Sequence, residues 1–405
     1  MRFRVRSDIS LSDEEEAKAV VKELQSHIGK KMVGSLYEEQ SFIDFHKCYH
    51  DEPTPKACEP IEHLKLSEAI QWSQIVTNDG LYNSHGDITL LDNGELYMVY
   101  GKGSSHAWVD IKIVGRRGVI GEDTVTWGKE DIILEKTLDY RLEEPQISVG
   151  SDGTVYLTVW LRQVDGGYDI AHGLGIIKST DNCYSWSSVV RPFIQNAHSR
   201  SPSRIVELDD GSLQLSYSYK YAGDVSNPLV KFSGYTMTSL DKAETWIYQR
   251  KIIDGKLTNA GETGFVYLGG DELFCVCRGL ITEDKYMQGV WSYDRGVSWT
   301  KPVPVYIGSG LPKVTLLPDG KLITVYRRYN LDPLKMFNVC RTSEDKGHTW
   351  SEEIILDGLS CGMVGGAIGV GSDTYVAHYP EVIFHQEAGA LPHNCQARVS
   401  KLIFE

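Results

Sequence analysis

No stretch of this 405-residue chain is apolar for long enough to cross a bilayer as a helix. The basic start, MRFRVRSDISLSDEEE, leads into acids instead of an apolar run, so a signal peptide is not expected either. Positive charge is scarce: 41 Lys and Arg against 55 Asp and Glu leave a net charge of −14. With no basic stripe to offset that balance, nucleic acid and anionic membranes are excluded as expected partners. An anionic sugar is not excluded, because a pocket can carry local positive charge. The eight cysteines show no framework spacing, and Cys275 and Cys277, two apart in a strand-like run, point to one face. Reduced, buried thiols and a cytoplasmic location are the expectation, which a removed leader would reverse to secretion. Oligomeric state is not legible. What the chain does have is an ordinary 41% of apolar residues, enough for a substantial core.

It also has a repeat. Trp127, Trp186, Trp246, Trp299 and Trp350 lie 59, 60, 53 and 51 residues apart. Four of them close related eight-residue boxes: STDNCYSW (179–186), SLDKAETW (239–246), SYDRGVSW (292–299) and SEDKGHTW (343–350). A fifth, IGEDTVTW (120–127), is degenerate. In such a box the Asp carboxylate can accept backbone N–H bonds inside a tight turn, Gly supplies positive φ, and Trp packs between strands. A catalytic or metal-binding Asp is the other reading of the motif, but no chemistry needs that group once per repeat.

Between the boxes runs a second series: LLDNGELYMVY (90–100), VGSDGTVYLTVW (149–160), ELDDGSLQLSY (207–217), YLGGDELFCVC (267–277), LLPDGKLITVY (316–326) and GVGSDTYVAHY (369–379). Each is an apolar run, a Gly/Asp turn and an alternating run, the signature of a β-hairpin. Six hairpins at this spacing, with about four short strands per period, predict an all-β fold, a six-bladed β-propeller. The sixth hairpin has no box after it. Trp72 precedes Trp127 by 55 residues, so the N-terminal side is expected to donate the outer strand of the last blade and close the ring. The predicted organisation is an N-terminal helix and irregular segment over 1–65 and the propeller over 66–405. Within 1–65, Ser12 and Glu15 suit a capping box and Gly29 a helix end. His46, Cys48, His50, Cys58 and His63 form either a zinc site of no standard spacing or a plain loop.

With its Asp boxes and six hairpins, the chain over about 66–404 resembles the sialidase (neuraminidase) superfamily. The resemblance implies a pocket on the ring axis, three arginines on a substrate carboxylate, a Glu-activated Tyr nucleophile and an Asp acid/base. It implies a carbohydrate substrate, anionic in character, and neither cofactor nor metal. In NAGETGFVYLGGDELFCVCRG (259–279), Glu262 resembles the nucleophile-assisting Glu and Arg278 one of the triad; an ordinary surface ion pair is the alternative. Blade five offers Arg327, Arg328 and Lys335, with Lys335 near the third arginine's place. In blade one NSHGDITLL (83–91) puts Ser84 or His85 where the first arginine is expected. GSSHAWVDIKIVGRR (103–117) puts His106 nearest the acid/base, with Asp110 four residues on. SCGMVGGAIGV (360–370) holds no tyrosine at the nucleophile's place.

Further charged residues sit before inner strands: Arg141, Glu143 and Glu144 in blade two, and His198, Arg200 and Arg204 in blade three. Tyr219, Tyr221 and Tyr329 follow second strands. Three functions stay open at this level. One is a sialidase-like exo-acting glycoside hydrolase on an acidic sugar, with Glu262, His106 and Asp110 catalytic. In it Arg278, Lys335, Arg327, His85, Arg141, Glu144 and Arg204 line the substrate. The others are a lyase for uronate-containing glycans using a His/Tyr pair and a non-catalytic glycan-binding propeller.

Overall fold

The structure, a computed structural model, describes residues 67–104, 110–135, 140–163, 173–192, 197–221, 230–278, 286–308, 310–329, 336–357, 365–380 and 395–404. The expected helix over 12–29, the His/Cys group over 46–63, His106 and Lys335 lie outside them.

The described strands form six antiparallel sheets, one per hairpin, and the chain is a six-bladed β-propeller. Blade I contains β2 (Tyr82–Leu90), β3 (Leu96–Gly103), β4 (Lys112–Ile120) and β5 (Val125–Leu134). Blade II follows with β6 (Tyr140–Val149), β7 (Val155–Gln163) and β8 (Gly173–Ser179). Blade III has β9 (Ala197–Arg200), β10 (Val206–Glu207), β11 (Leu213–Tyr221), β12 (Ser233–Ser239) and β13 (Ile247–Ile253). Blade IV is β14 (Thr263–Gly269), β15 (Glu272–Cys277), β16 (Tyr286–Ser292) and β17 (Val303–Ile307). Blade V is β18 (Lys313–Leu316), β19 (Leu322–Tyr329), β20 (Met336–Ser343) and β21 (Ile354–Ile355). In blade VI, β22 (Ala367–Val370), β23 (Asp373–His378) and β24 (Ala397–Ile403) are completed by β1 (Ile70–Thr77).

That last pairing is the predicted closure: β1 lies antiparallel to β24, with Trp72 opposite Lys401 and Gln74 opposite Val399. No blade then presents a bare edge at the junction of first and last. Six clusters of buried apolar side chains fill the six seams between neighbouring blades. The seam of blades VI and I, for example, buries Tyr82, Tyr100 and Val114 against Tyr375, Ala377 and Val399. Because each strand alternates, each blade gives one face to each neighbour, and the ring is what buries both. Cys275 and Cys277 share such a face and are buried, as are Cys183, Cys340 and Cys395.

The boxes act as turn staples. In the second, Asp241 accepts from Thr245 N (2.8 Å), Thr245 Oγ1 (2.5 Å) and Ser239 Oγ (2.9 Å), and Ala243 N donates to Ser239 Oγ (2.9 Å). The same set recurs around Asp181, Asp294 and Asp345. Two successive residues per box take positive φ, such as Arg295 (57°) and Gly296 (83°). Where the sequence has no glycine, Cys183 (65°) and Ala243 (67°) still adopt it, so the side-chain bonds override a local preference. Two blades depart from the repeat. The degenerate box lacks its Ser, and residues 121–124 make a plain hairpin with Gly121 N on Thr124 O, so β5 pairs directly and runs ten residues. In blade II the fourth strand is reduced to one bridge, Ile176 to Val190, shortly before Pro192.

Candidate active site

One end of the ring holds the Gly/Asp hairpin turns. At the other end inner strands begin and second strands finish, and there the chemistry-bearing residues gather. Four inner strands start through a non-glycine residue in the left-handed region, each followed by Gly or Pro: His85 (φ 53°) before Gly86, Glu144 (54°) before Pro145, Ser201 (50°) before Pro202 and Leu311 (32°) before Pro312. In blades I and II these residues sit in β-bulges, between Ser84 and Asp87 and between Glu143 and Gln146. Such a conformation costs roughly 1–2 kcal/mol per residue, and proline disfavours helical backbone in the residue before it. It persists only where the surroundings over-determine it.

The surroundings are a buried ionic hub. Asp87, fully buried, accepts from Arg204 Nε (2.7 Å) and Nη2 (2.5 Å), from its neighbour Ile88 N (2.9 Å) and from Ile147 N of blade II (3.0 Å). Arg204 comes from blade III. It also donates to Thr315 Oγ1 of blade V (2.7 Å), Ile88 O (2.9 Å) and Ala367 O of blade VI (3.0 Å). Five blades meet on one guanidinium–carboxylate pair. Burial pushes the Asp87 carboxyl up, but Arg204 and Lys313 beside it more than offset this and hold it below the ordinary value. Lys313, 3% exposed, donates from Nζ to Gly86 O (2.6 Å). Burial lowers its pKa to about 8, with Asp87 and Glu144 pulling it up and Arg204 down.

Two further pairs lie at the ends of these strands. Glu262, just before β14, accepts from Arg278 Nη1 (2.7 Å) on one oxygen and from Leu311 N of blade V (2.6 Å) on the other. Arg278 lies just after β15, and Arg278 N also donates to Glu262 O (3.0 Å), so both ends of the hairpin lock side by side. Arg327 of β19 packs its guanidinium against Gly310, where a Cβ would lie 2.8 Å from Nη2. The second pair is Tyr82 Oη and His85 Nδ1, 2.8 Å apart and both largely buried.

The structure thus brings Glu262, Arg278 and the Leu311 amide together, with Arg327 one residue along at Gly310. Glu144 is near enough to Lys313 to act on its charge. Arg204, expected at the substrate, has its donors taken by protein acceptors within the hub. Asp110 is exposed and accepts from Ser104 N (3.0 Å) and Oγ (3.1 Å), clamping the base of the segment that contains His106. Ser84 is buried and Arg141 half-buried in β6, opposite Arg162. Arg328 turns away to Glu353 (2.7 Å). Tyr379, the tyrosine that follows β23, is buried, its hydroxyl on Val99 O (3.2 Å). Among the described residues, no group of three or more His, Cys, Asp or Glu is placed to hold a metal ion.

Sequence reasoning missed Asp87, Lys313 and Tyr82. A signal existed for two of them. Asp87 in SHGDITLL and Lys313 in LPKVTLL are single charges set into runs that otherwise read as buried strand.

Residues 94–391 match the family described as BNR repeat-like domain. Among curated proteins, none matches the sequence. Solved structures of similar fold include a protein of unknown function from Dyadobacter fermentans, 16% identical with a TM-score of 0.65, covering 82% of this chain and 99% of that one. The intramolecular trans-sialidase of Ruminococcus gnavus, solved with oseltamivir carboxylate, is 12% identical with a TM-score of 0.60, covering 84% and 98%. A Hadza microbial sialidase is 15% identical with a TM-score of 0.61, covering 78% of this chain and 65% of that one. At these identities the likeness is one of fold.

Proposed function

This chain belongs to the BNR repeat-like domain family, and from that premise we propose a sialidase-like, exo-acting glycoside hydrolase that takes a carboxylate-bearing sugar. The observation that carries the reading is the Glu262–Arg278 pair, 2.7 Å apart where the inner strands begin. A guanidinium there grips a carboxylate in fork geometry, and a carboxylate beside it can activate a nucleophile or stabilise charge at the reacting carbon. At rest the pair neutralises itself. An incoming sugar carboxylate competes for Arg278 and leaves Glu262 Oε1 available, while Leu311 N keeps hold of Oε2. Arg327 extends the positive side and Arg141 and Glu144 line the blade II side; the sequence resemblance adds Lys335 to the carboxylate grip and His106, with Asp110, to the leaving-group proton. The trans-sialidase from Ruminococcus gnavus, whose structure contains oseltamivir carboxylate, is in keeping with an anionic ligand.

A second reading has its own support. The Tyr82–His85 contact of 2.8 Å is a ready proton-abstracting pair, as elimination from a uronate requires. The test separates the two. Incubation with a fluorogenic sialoside is expected to release free sialic acid, and Glu262→Gln to cut the rate by about 100-fold or more with the fold intact by circular dichroism. His106→Ala is expected to act in the same direction. Growth of unsaturated-uronate absorbance instead transfers the assignment to the lyase. Near-normal rates in both variants would remove Glu262 and His106 from the chemistry, and glycan-array binding without turnover would leave a lectin-like propeller.

A further inference from the structure

We infer that Lys313, on the first position of β18, is the positioning residue for His85: from blade V it pins the blade I bulge that keeps the imidazole against Tyr82. The inference rests on the reading of His85 as part of the reacting site.

The argument starts from the cost of the bulge. His85 holds a left-handed backbone that a histidine does not choose, and the next residue has no freedom to absorb the strain. A Cβ on Gly86 would fall 1.9 Å from Val99 O and 2.1 Å from Tyr379 Oη, so its Cα is walled in from behind. On the far side, Asp87 is fixed by Arg204. The remaining degree of freedom is the peptide whose carbonyl is Gly86 O. That carbonyl receives the Lys313 ammonium at 2.6 Å. Removing the ammonium leaves a buried carbonyl without this donor, and the 86–87 peptide can then turn toward an ordinary pleat. A one-residue shift in the bulge swings His85 to the other face of β2, away from Tyr82. Arg204 cannot substitute, because its nitrogens are engaged by Asp87, Thr315, Ile88 and Ala367.

The groups that face Lys313 are Asp87 from β2, Arg204 from the segment after β9 and Glu144 from the blade II bulge, with His85 next along the chain from Gly86. Their balance with burial leaves its pKa at about 8. Below that pH the bond to Gly86 O is charge-assisted; above it a neutral amine makes a weaker one. The hold on His85 therefore loosens as pH rises through this range.

The experiment reads His85 directly, by NMR of the full-length protein labelled at histidine ring carbons, with His85→Gln used for assignment. In the wild type, the His85 resonances should show an inflection near pH 8, where Lys313 loses its charge. Lys313→Met should abolish that inflection and shift the His85 signals. It should also lower kcat about tenfold with KM nearly unchanged. Lys313→Gln, which keeps an N–H donor without the charge, should lose the inflection yet recover most of kcat. If Lys313→Met does not fold, the wild-type titration decides alone. His85 signals that do not respond near pH 8, or that are the same in Lys313→Met, overturn the inference. The resonances need no substrate: a protein that turns over no glycan but passes this test loses the hydrolase reading and keeps the positioning role.

Discussion

The Asp boxes and the starts of the inner strands pose the same physical problem and solve it in opposite ways. Both carry acidic side chains, and both force residues such as Lys242 (φ 55°) and Glu144 (φ 54°) into left-handed backbone. In a box every acceptor of the Asp is met within six residues: Asp345 takes Thr349 N, Thr349 Oγ1 and Ser343 Oγ. At the inner-strand end the set is completed only from other blades, beyond what Ile88 N and Arg278 supply from the same blade. Asp87 is held by a residue 117 positions away and Glu262 by an amide 49 positions away. A locally closed device can be repeated without reference to its surroundings, and it makes fold. A device closed only by the ring differs at each blade, and differences are what a site requires.

The strongest way to break this contrast is to cut the hub. Arg204→Met leaves buried Asp87 without its main charge partner, with Lys313 as the remaining neighbouring cation, and strips donors from three other acceptors. The expected loss is about 3–5 kcal/mol, read by urea or thermal unfolding. Adding Asp87→Leu to that variant should recover part of the loss, since removing both charges relieves the stranded one. A loss no larger than that of a box variant would show the hub to be dispensable.

Acid titration sharpens the contrast next. Hydrogen bonds from Ser185 hold the Asp181 carboxyl at about 2, and those from Thr245 lower Asp241 in the same way. For Asp294 and Asp345 burial is the largest single influence and pushes the carboxyl up, but the equivalent bonds together outweigh it and the net shift is downward. A depressed folded pKa gives stability that is present above the unfolded value of about 4 and is lost as pH falls toward the folded one. The thermal midpoint should hold from neutral pH down to about 5 and drop between about 4 and 2. With the four box aspartates changed to Asn, the protein should start lower at neutral pH and fall less steeply in acid. An unchanged acid slope would place the titrating groups at Asp87 and its neighbours instead.

The same contrast explains how much was legible beforehand. The boxes, the hairpins and the seal between β1 and β24 follow from patterns a few residues wide, and the ring follows from the six hairpins. Glu262 and Arg278 were legible because one hairpin carries both at its ends. The Asp87–Arg204 pair was not, since nothing near either residue names the other. The left-handed lead-ins left a trace, the recurring Glu-Pro, Ser-Pro and Leu-Pro pairs at 144, 201 and 311, visible only once hairpins are aligned backward. Burial also separates chemistry from its likeness. Ser400 Oγ, His378 and Asp357 form a Ser–His–Asp chain at 2.9 and 2.8 Å, yet Ser400 and His378 are fully buried. No substrate reaches that hydroxyl, and the chain stitches β24 and β23 to Asp357, two residues beyond β21, with Asn338 of β20 also on Asp357 (2.9 Å).

The smallest expected effect is the most exacting for the comparison. Asp294→Ala removes the acceptors of Ser298 N, Ser298 Oγ and Ser292 Oγ, all in one exposed turn. Loss of one such cap costs about 1 kcal/mol, and in a chain of this size that lowers the thermal midpoint by roughly 1–2 °C. Trp299, whose Nε1 donates to Gly296 O (3.3 Å), reports the turn through its fluorescence. Turnover should stay at the wild-type rate, because every bond removed closes within the box and none reaches the inner strands. A change in the Trp299 signal with unaltered kcat keeps the two ends of the ring independent. A fall in kcat comparable to that of Glu262→Gln would mean that the turn and the site share one mechanical element, and the separation of fold from chemistry argued from their closure would not hold.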